Sequence, residues 1–159
     1  MGLDINFYKA KRSKDNETKE RLEEIRKALA TEYIKNIDER NSKLIKELED
    51  ENEKINPWNE VAYFRKVNFL IPFFGYEENC SNIEIDKYQV EDLIEACKAV
   101  LEDHSKAEEL LPTTPGFFFG STEYDDWYFD DVESVKATFE SILEDFDPEE
   151  DILMMHCWW

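Results

Sequence analysis

Leu3-Asp4-Ile5-Asn6-Phe7-Tyr8-Lys9-Ala10 alternates apolar and polar side chains and is rich in residues that favour extended backbone. A period of two with one wet face reads as a half-buried strand. The same type of signal closes the sequence at Asp151-Ile-Leu-Met-Met-His-Cys-Trp-Trp159. Two shorter pieces lie between them, Ile83-Glu84-Ile85 and Gly116-Phe-Phe-Phe-Gly120, the second read as a strand bounded by glycines. Strands at both ends with helical patterns between them predict an α+β fold. The expected form is a small mixed or antiparallel sheet of three or four short strands, packed with about four helices.

Working outward from the first strand, Lys9, Lys11, Arg12 and Lys14 lead into a charged stretch, and from Glu17 to about Asn52 the pattern is helical. Leu22, Ile25, Leu29, Tyr33, Ile37, Leu44 and Leu48 recur at helical steps without Gly or Pro. Asp38 to Ser42 is polar enough to bend or break it, so one helix and a helical hairpin both remain open. Asn56-Pro57 has the form of a helix start, Asn capping and Pro at the first turn. That predicts a helix carrying Trp58, Val61, Ala62, Tyr63, Phe64, Arg65, Lys66, Val67, Asn68 and Leu70, ending near Pro72-Phe-Phe-Gly75. Asp86 and Gln89 form a capping-box signature ahead of Val90, Leu93, Ile94, Cys97, Val100 and Leu101. Lys106 to Leu111 reads as a short helical turn before Pro112. Thr122 and Asp125 are expected to open the last helix, with Tyr124, Trp127, Tyr128, Val132, Val135, Phe139, Ile142, Leu143 and Phe146 on its apolar side. The 159 residues fit a single domain spanning 1–159, with 13–56 as a charged helical insertion.

Charge is placed unevenly. The net charge is −20, yet residues 1–56 hold 13 Lys and Arg against 14 Asp and Glu, and residues 57–159 hold 6 against 25. Phosphate contacts need a positive surface, so direct nucleic-acid binding is not expected, nor is an anionic membrane. A basic protein surface is the matching macromolecular partner. No stretch is long and apolar enough to read as a membrane span or an export signal. Three cysteines without a C-x-x-C pair argue against a disulfide framework or a Cys-rich zinc site, and reduced thiols fit a cytoplasmic location. Cys97 falls on an apolar helix face and reads as a core thiol.

Candidate site residues gather in two places. Arg65 and Lys66 are two of the few cations beyond residue 56; they are suited to an internal ion pair or to an anionic group. The second place is Glu123-Tyr124-Asp125-Asp126-Trp127 with Asp130 and Asp131. Asp126, Asp130 and Glu133, spaced four and three apart, share a helix face. A cation-binding loop pattern and histidine are both missing from it, so acids complementing the helix dipole are the simpler reading, with no metal or other cofactor expected. Tyr and Trp beside acids are typical of protein-partner contacts. His156 and Cys157 are neighbours on a strand and point to opposite faces, which rules them out as a nucleophile pair. With no G-x-S-x-G, P-loop or dinucleotide fingerprint, no catalytic residue is assigned. The aromatic content, 11 Phe, 7 Tyr and 4 Trp, leaves a homodimer open.

Met1-Gly-Leu-Asp4, Ala62-Tyr-Phe-Arg-Lys-Val-Asn68 and Glu108-Glu-Leu-Leu-Pro112 through Gly116-Phe-Phe-Phe-Gly-Ser-Thr-Glu-Tyr-Asp125 resemble a family of small phage- and prophage-encoded bacterial proteins. The likeness covers 1–10 and roughly 58–159. It implies a bacterial host cytoplasm and a mobile-element setting, and supplies no mechanism. Two functions follow as expectations. The first is a non-enzymatic acidic interaction protein, an accessory or anti-defence factor that binds a basic protein surface. The second is a small-ligand-binding protein or metal-dependent hydrolase with its site between the Arg65-Lys66 helix and the Gly116–Asp131 segment.

Overall fold

Alternation in β1 (Asp4–Lys11) places Ile5 and Phe7 in the interior and leaves Asn6 and Tyr8 half-buried, the period that a sheet with one dry face requires. The computed structural model describes residues 2–12, 16–35 and 43–159. β1 is followed by α1 (Asn16–Lys35), α2 (Lys43–Ile55), β2 (Asn59–Arg65), α3 (Leu70–Phe74), β3 (Asn82–Ile85) and α4 (Lys87–Glu102). A 3-10 turn (His104–Lys106), α5 (Ala107–Leu110), α6 (Asp126–Glu144) and β4 (Asp151–Trp158) complete the order. The four strands form one antiparallel sheet in the order β2-β1-β4-β3, so the fold is α+β. In the β3–β4 pair, Asn82 faces His156 and Ile85 faces Leu153. The chain divides into two compact units, 1–9 with 60–159, and 10–59.

In the larger unit the alternate residues Leu153, Met155 and Cys157 of β4 join Ile5 and Phe7 in a continuous core. Val90, Leu93, Ile94, Cys97 and Val100 of α4 and Val132, Val135 and Phe139 of α6 belong to the same cluster, and the two helices pack against each other. Phe139 lies at its centre. Its ring meets Phe7 edge-on at 4.9 Å and Phe64 in a stack at 6.1 Å, with Phe74 at 6.2 Å. Such pairs add to the area they bury. The start of α4 is built as read: Asp86 accepts from the Gln89 amide at 2.8 Å and Gln89 returns a bond to the Asp86 amide at 3.0 Å.

Three expectations are corrected. Residues 59–65 form a strand, not a helix, because Ala62 and Phe64 face inward while Tyr63 and Arg65 face out, and β1 supplies the partner. Helical structure is confined to α3, which ends at Gly75 where a stop was expected. Residues 116–120 form a turn, not a strand: the Phe119 amide donates to the Gly116 carbonyl at 3.1 Å, and a methyl on Gly116 would lie 2.6 Å from the Phe119 ring. The last helix starts at Asp126 with Asp125 as its cap, not at Thr122, and Trp127 lies on its solvent side.

In the unit 10–59, α1 and α2 pack together as a hairpin, which settles the alternative left open. Arg21 clasps Glu51 with two bonds of 2.7 and 2.8 Å and also reaches Glu24 at 3.1 Å. Ile25 and Ile45 are buried. Exposed pairs such as Arg26–Glu23 and Lys43–Glu47 contribute little, so the hairpin does not rest on them. The polar break at Asp38 to Ser42 lies outside the described residues.

Candidate functional site

The chain leaves β2 through Lys66, whose φ of 61° is left-handed. Its amide still donates to the Leu3 carbonyl at 2.8 Å, so the turn begins while the strand pairing is intact. Asn68 comes two residues later and is buried. Its Nδ2 donates to the carbonyls of Phe119 at 3.0 Å and Ser121 at 2.9 Å, and its Oδ1 accepts from the Thr114 amide at 3.0 Å. One side chain thereby fixes both ends of the 114–121 loop against the end of β2. Gly120 is needed there: its φ is +86°, and a methyl on it would lie 3.1 Å from the Lys66 Cβ.

The far side of the loop is tied to the residues that lead into α6. Thr113 donates its amide to the Tyr124 hydroxyl at 3.2 Å and its own hydroxyl to the Thr122 carbonyl at 2.9 Å. Asp125 caps α6 by accepting from the Tyr128 amide at 3.0 Å. Tyr128 is buried, donates to the Leu111 carbonyl at 2.8 Å and packs its ring 5.5 Å from Phe69, and burial pushes its phenol well above the usual range.

Between these two fixed segments lies a cleft of about 150 Å³. Its lining residues include Arg65 and Lys66 together with Glu123, Asp125, Trp127 and Asp131. The structure thus brings together six of the nine candidate residues. Tyr124 is half-buried and bonded to Thr113 as described, whereas Asp126 and Asp130 are exposed and outside the lining. Asp131 is half-buried, and its carboxyl is pushed above the ordinary range, first by burial and then by the charges of Asp130 and Asp125. Among the described residues Arg65 and Lys66 make no ion pair, while Lys87, Lys98 and Lys136 each pair with a glutamate one turn away. No three His, Cys, Asp or Glu side chains among the described residues are grouped to hold a metal ion.

Sequence reasoning missed Asn68, Gly120 and Ser121 as parts of this site. Asn68 sits between Val67 and Phe69, and a polar amide in an apolar run was the available signal, since burial obliges such a group to find partners.

Beside the cleft, Trp127 is 80 % exposed and Phe117, at the tip of the 116–120 turn, is 94 % exposed. Of the 25 carboxylates beyond residue 56, only Glu91, Asp131, Glu140 and Asp151 are not fully on the surface. No protein-family model, curated protein or solved structure matches the chain.

Proposed function

We propose that this chain is a non-enzymatic acidic interaction protein that binds a basic protein surface, as an accessory or anti-defence factor of a mobile element. The observation that carries it is the outward placement of nearly all the surplus carboxylates, with Trp127 standing among Glu123, Asp126 and Asp130. Exposed acids steer a cationic partner, and a large aromatic supplies the apolar contact that charge alone does not. The mobile-element setting rests on the sequence resemblance alone. The test is capture of host proteins on the immobilised chain at about 0.1 M and about 1 M salt, where screening differs severalfold. A basic protein retained at the lower salt, released at the higher, and lost with Trp127→Ala supports the reading. Retention indifferent to both salt and Trp127 counts against it.

A second reading, a small-ligand-binding protein, is favoured by one specific observation: Arg65, Lys66 and three carboxylates share a cleft. The hydrolase form of that reading gains no support from the described residues, which group no metal ligands.

A further inference from the structure

We infer that the cleft between the end of β2 and the start of α6 binds a small zwitterion of the α-amino-acid class, its carboxylate held by Arg65 and Lys66 and its ammonium by Asp131 and Asp125. The inference rests on the small-ligand reading above and names the ligand class.

Five charged residues line the cleft, two positive and three negative. Opposite charges this close ordinarily join, as Lys87, Lys98 and Lys136 do with their neighbouring glutamates. Here they do not: among the described residues neither cation lies within ion-pairing distance of a carboxylate. Cations and carboxylates therefore share one cleft without neutralising each other. A simple anion bound by Arg65 and Lys66 has like charge nearby in Asp125 and Asp131, and a simple cation bound by the acids has Arg65 and Lys66 nearby. A ligand with both charges satisfies both groups.

Size agrees. A cavity of about 150 Å³ accommodates a ring of six carbons, which is the heavy-atom count of a small amino acid. Hydrogen bonds hold both groups in place. Asn68 fixes the loop against the segment after β2, and Asp125 is fixed as the cap of α6 with one carboxylate oxygen engaged and the other open. Asp131 has no bonded partner among the described residues, and its carboxyl is raised by burial and by neighbouring acids. That is the electrostatic state a ligand ammonium relieves. Trp127 stands at the rim, where its ring can face a cationic group.

The experiment titrates the full chain with glycine, L-alanine and L-serine, and in parallel with propionate and propylamine, following backbone amide shifts by NMR. The zwitterions are expected to bind at least about tenfold more tightly than either singly charged compound, with shifts centred on 65–69 and 120–131. Arg65→Gln and Asp131→Asn should each weaken alanine binding about tenfold or more, while Asp92→Asn on α4 leaves it unchanged. Arg65 is exposed, and an unaltered melting curve for Arg65→Gln separates lost binding from lost fold. If propionate binds as well as alanine, the zwitterion inference is overturned while a ligand site remains. If none of the five compounds shifts these amides, both fall.

Discussion

Asn68 shows how much a single side chain does here. Three hydrogen bonds from one buried amide hold Thr114, Phe119 and Ser121, so truncating it leaves two carbonyls and an amide without these partners. Asn68→Ala is expected to cost about 3 kcal/mol in chemical denaturation, at the upper end for a buried polar group. Asp131 acts in the other direction. A carboxyl raised in the native state holds its proton more tightly folded than unfolded, so stability falls as pH rises from the ordinary carboxylate range through the raised value. Asp131→Asn therefore raises the melting temperature at neutral pH, and the gain fades as pH drops below the ordinary range. An equal gain at every pH would show that the charge is not the cause. The thiols separate as clearly. Burial pushes Cys97 and Cys157 up to about 12, whereas Cys80 is exposed. Iodoacetamide on the native protein should label Cys80 alone, read by mass spectrometry, with all three labelled after denaturation.

At the scale of elements, local signals were read correctly where the chemistry is local. The Asp86 and Gln89 side chains cap α4 through contacts three residues apart, and the sequence carries both partners. Asp86→Ala should cost about 1 kcal/mol, measured by thermal melting, and an unchanged melting curve would remove the cap from the account. β2 was misread because Asn56-Pro57 has the form of a helix start and the residues after it suit either structure. What decides for a strand is pairing with β1, more than fifty residues away in sequence, which no local window contains. The Phe117-Phe118-Phe119 run misled in the opposite way. Its composition favours a strand, but Gly116 closes against the Phe119 ring and Gly120 takes a left-handed conformation, so the run turns and exposes Phe117. Of the cleft, Arg65, Lys66 and the acids around Trp127 stood out by charge. The loop clamp did not, because an amide's partners are set by tertiary placement.

For the whole molecule, the excess negative charge is an exterior property. Self-repulsion among exposed carboxylates opposes compaction and keeps copies apart, and a cationic surface is what relieves it. The cleft is one small place where both signs of charge meet. The two proposals share Glu123 and Trp127, and they are separated by Asp126 and Asp130, which belong to the surface reading alone, and by Arg65 and Asp131, which belong to the cleft alone. Carbodiimide labelling of carboxylates, with and without the captured basic partner, decides whether the acidic face around Trp127 is the docking surface. Protection at Glu123, Asp126 and Asp130, with Asp92 and Glu95 on α4 still reactive, is the predicted pattern. Protection centred on α4, or spread evenly over all exposed acids, would contradict it.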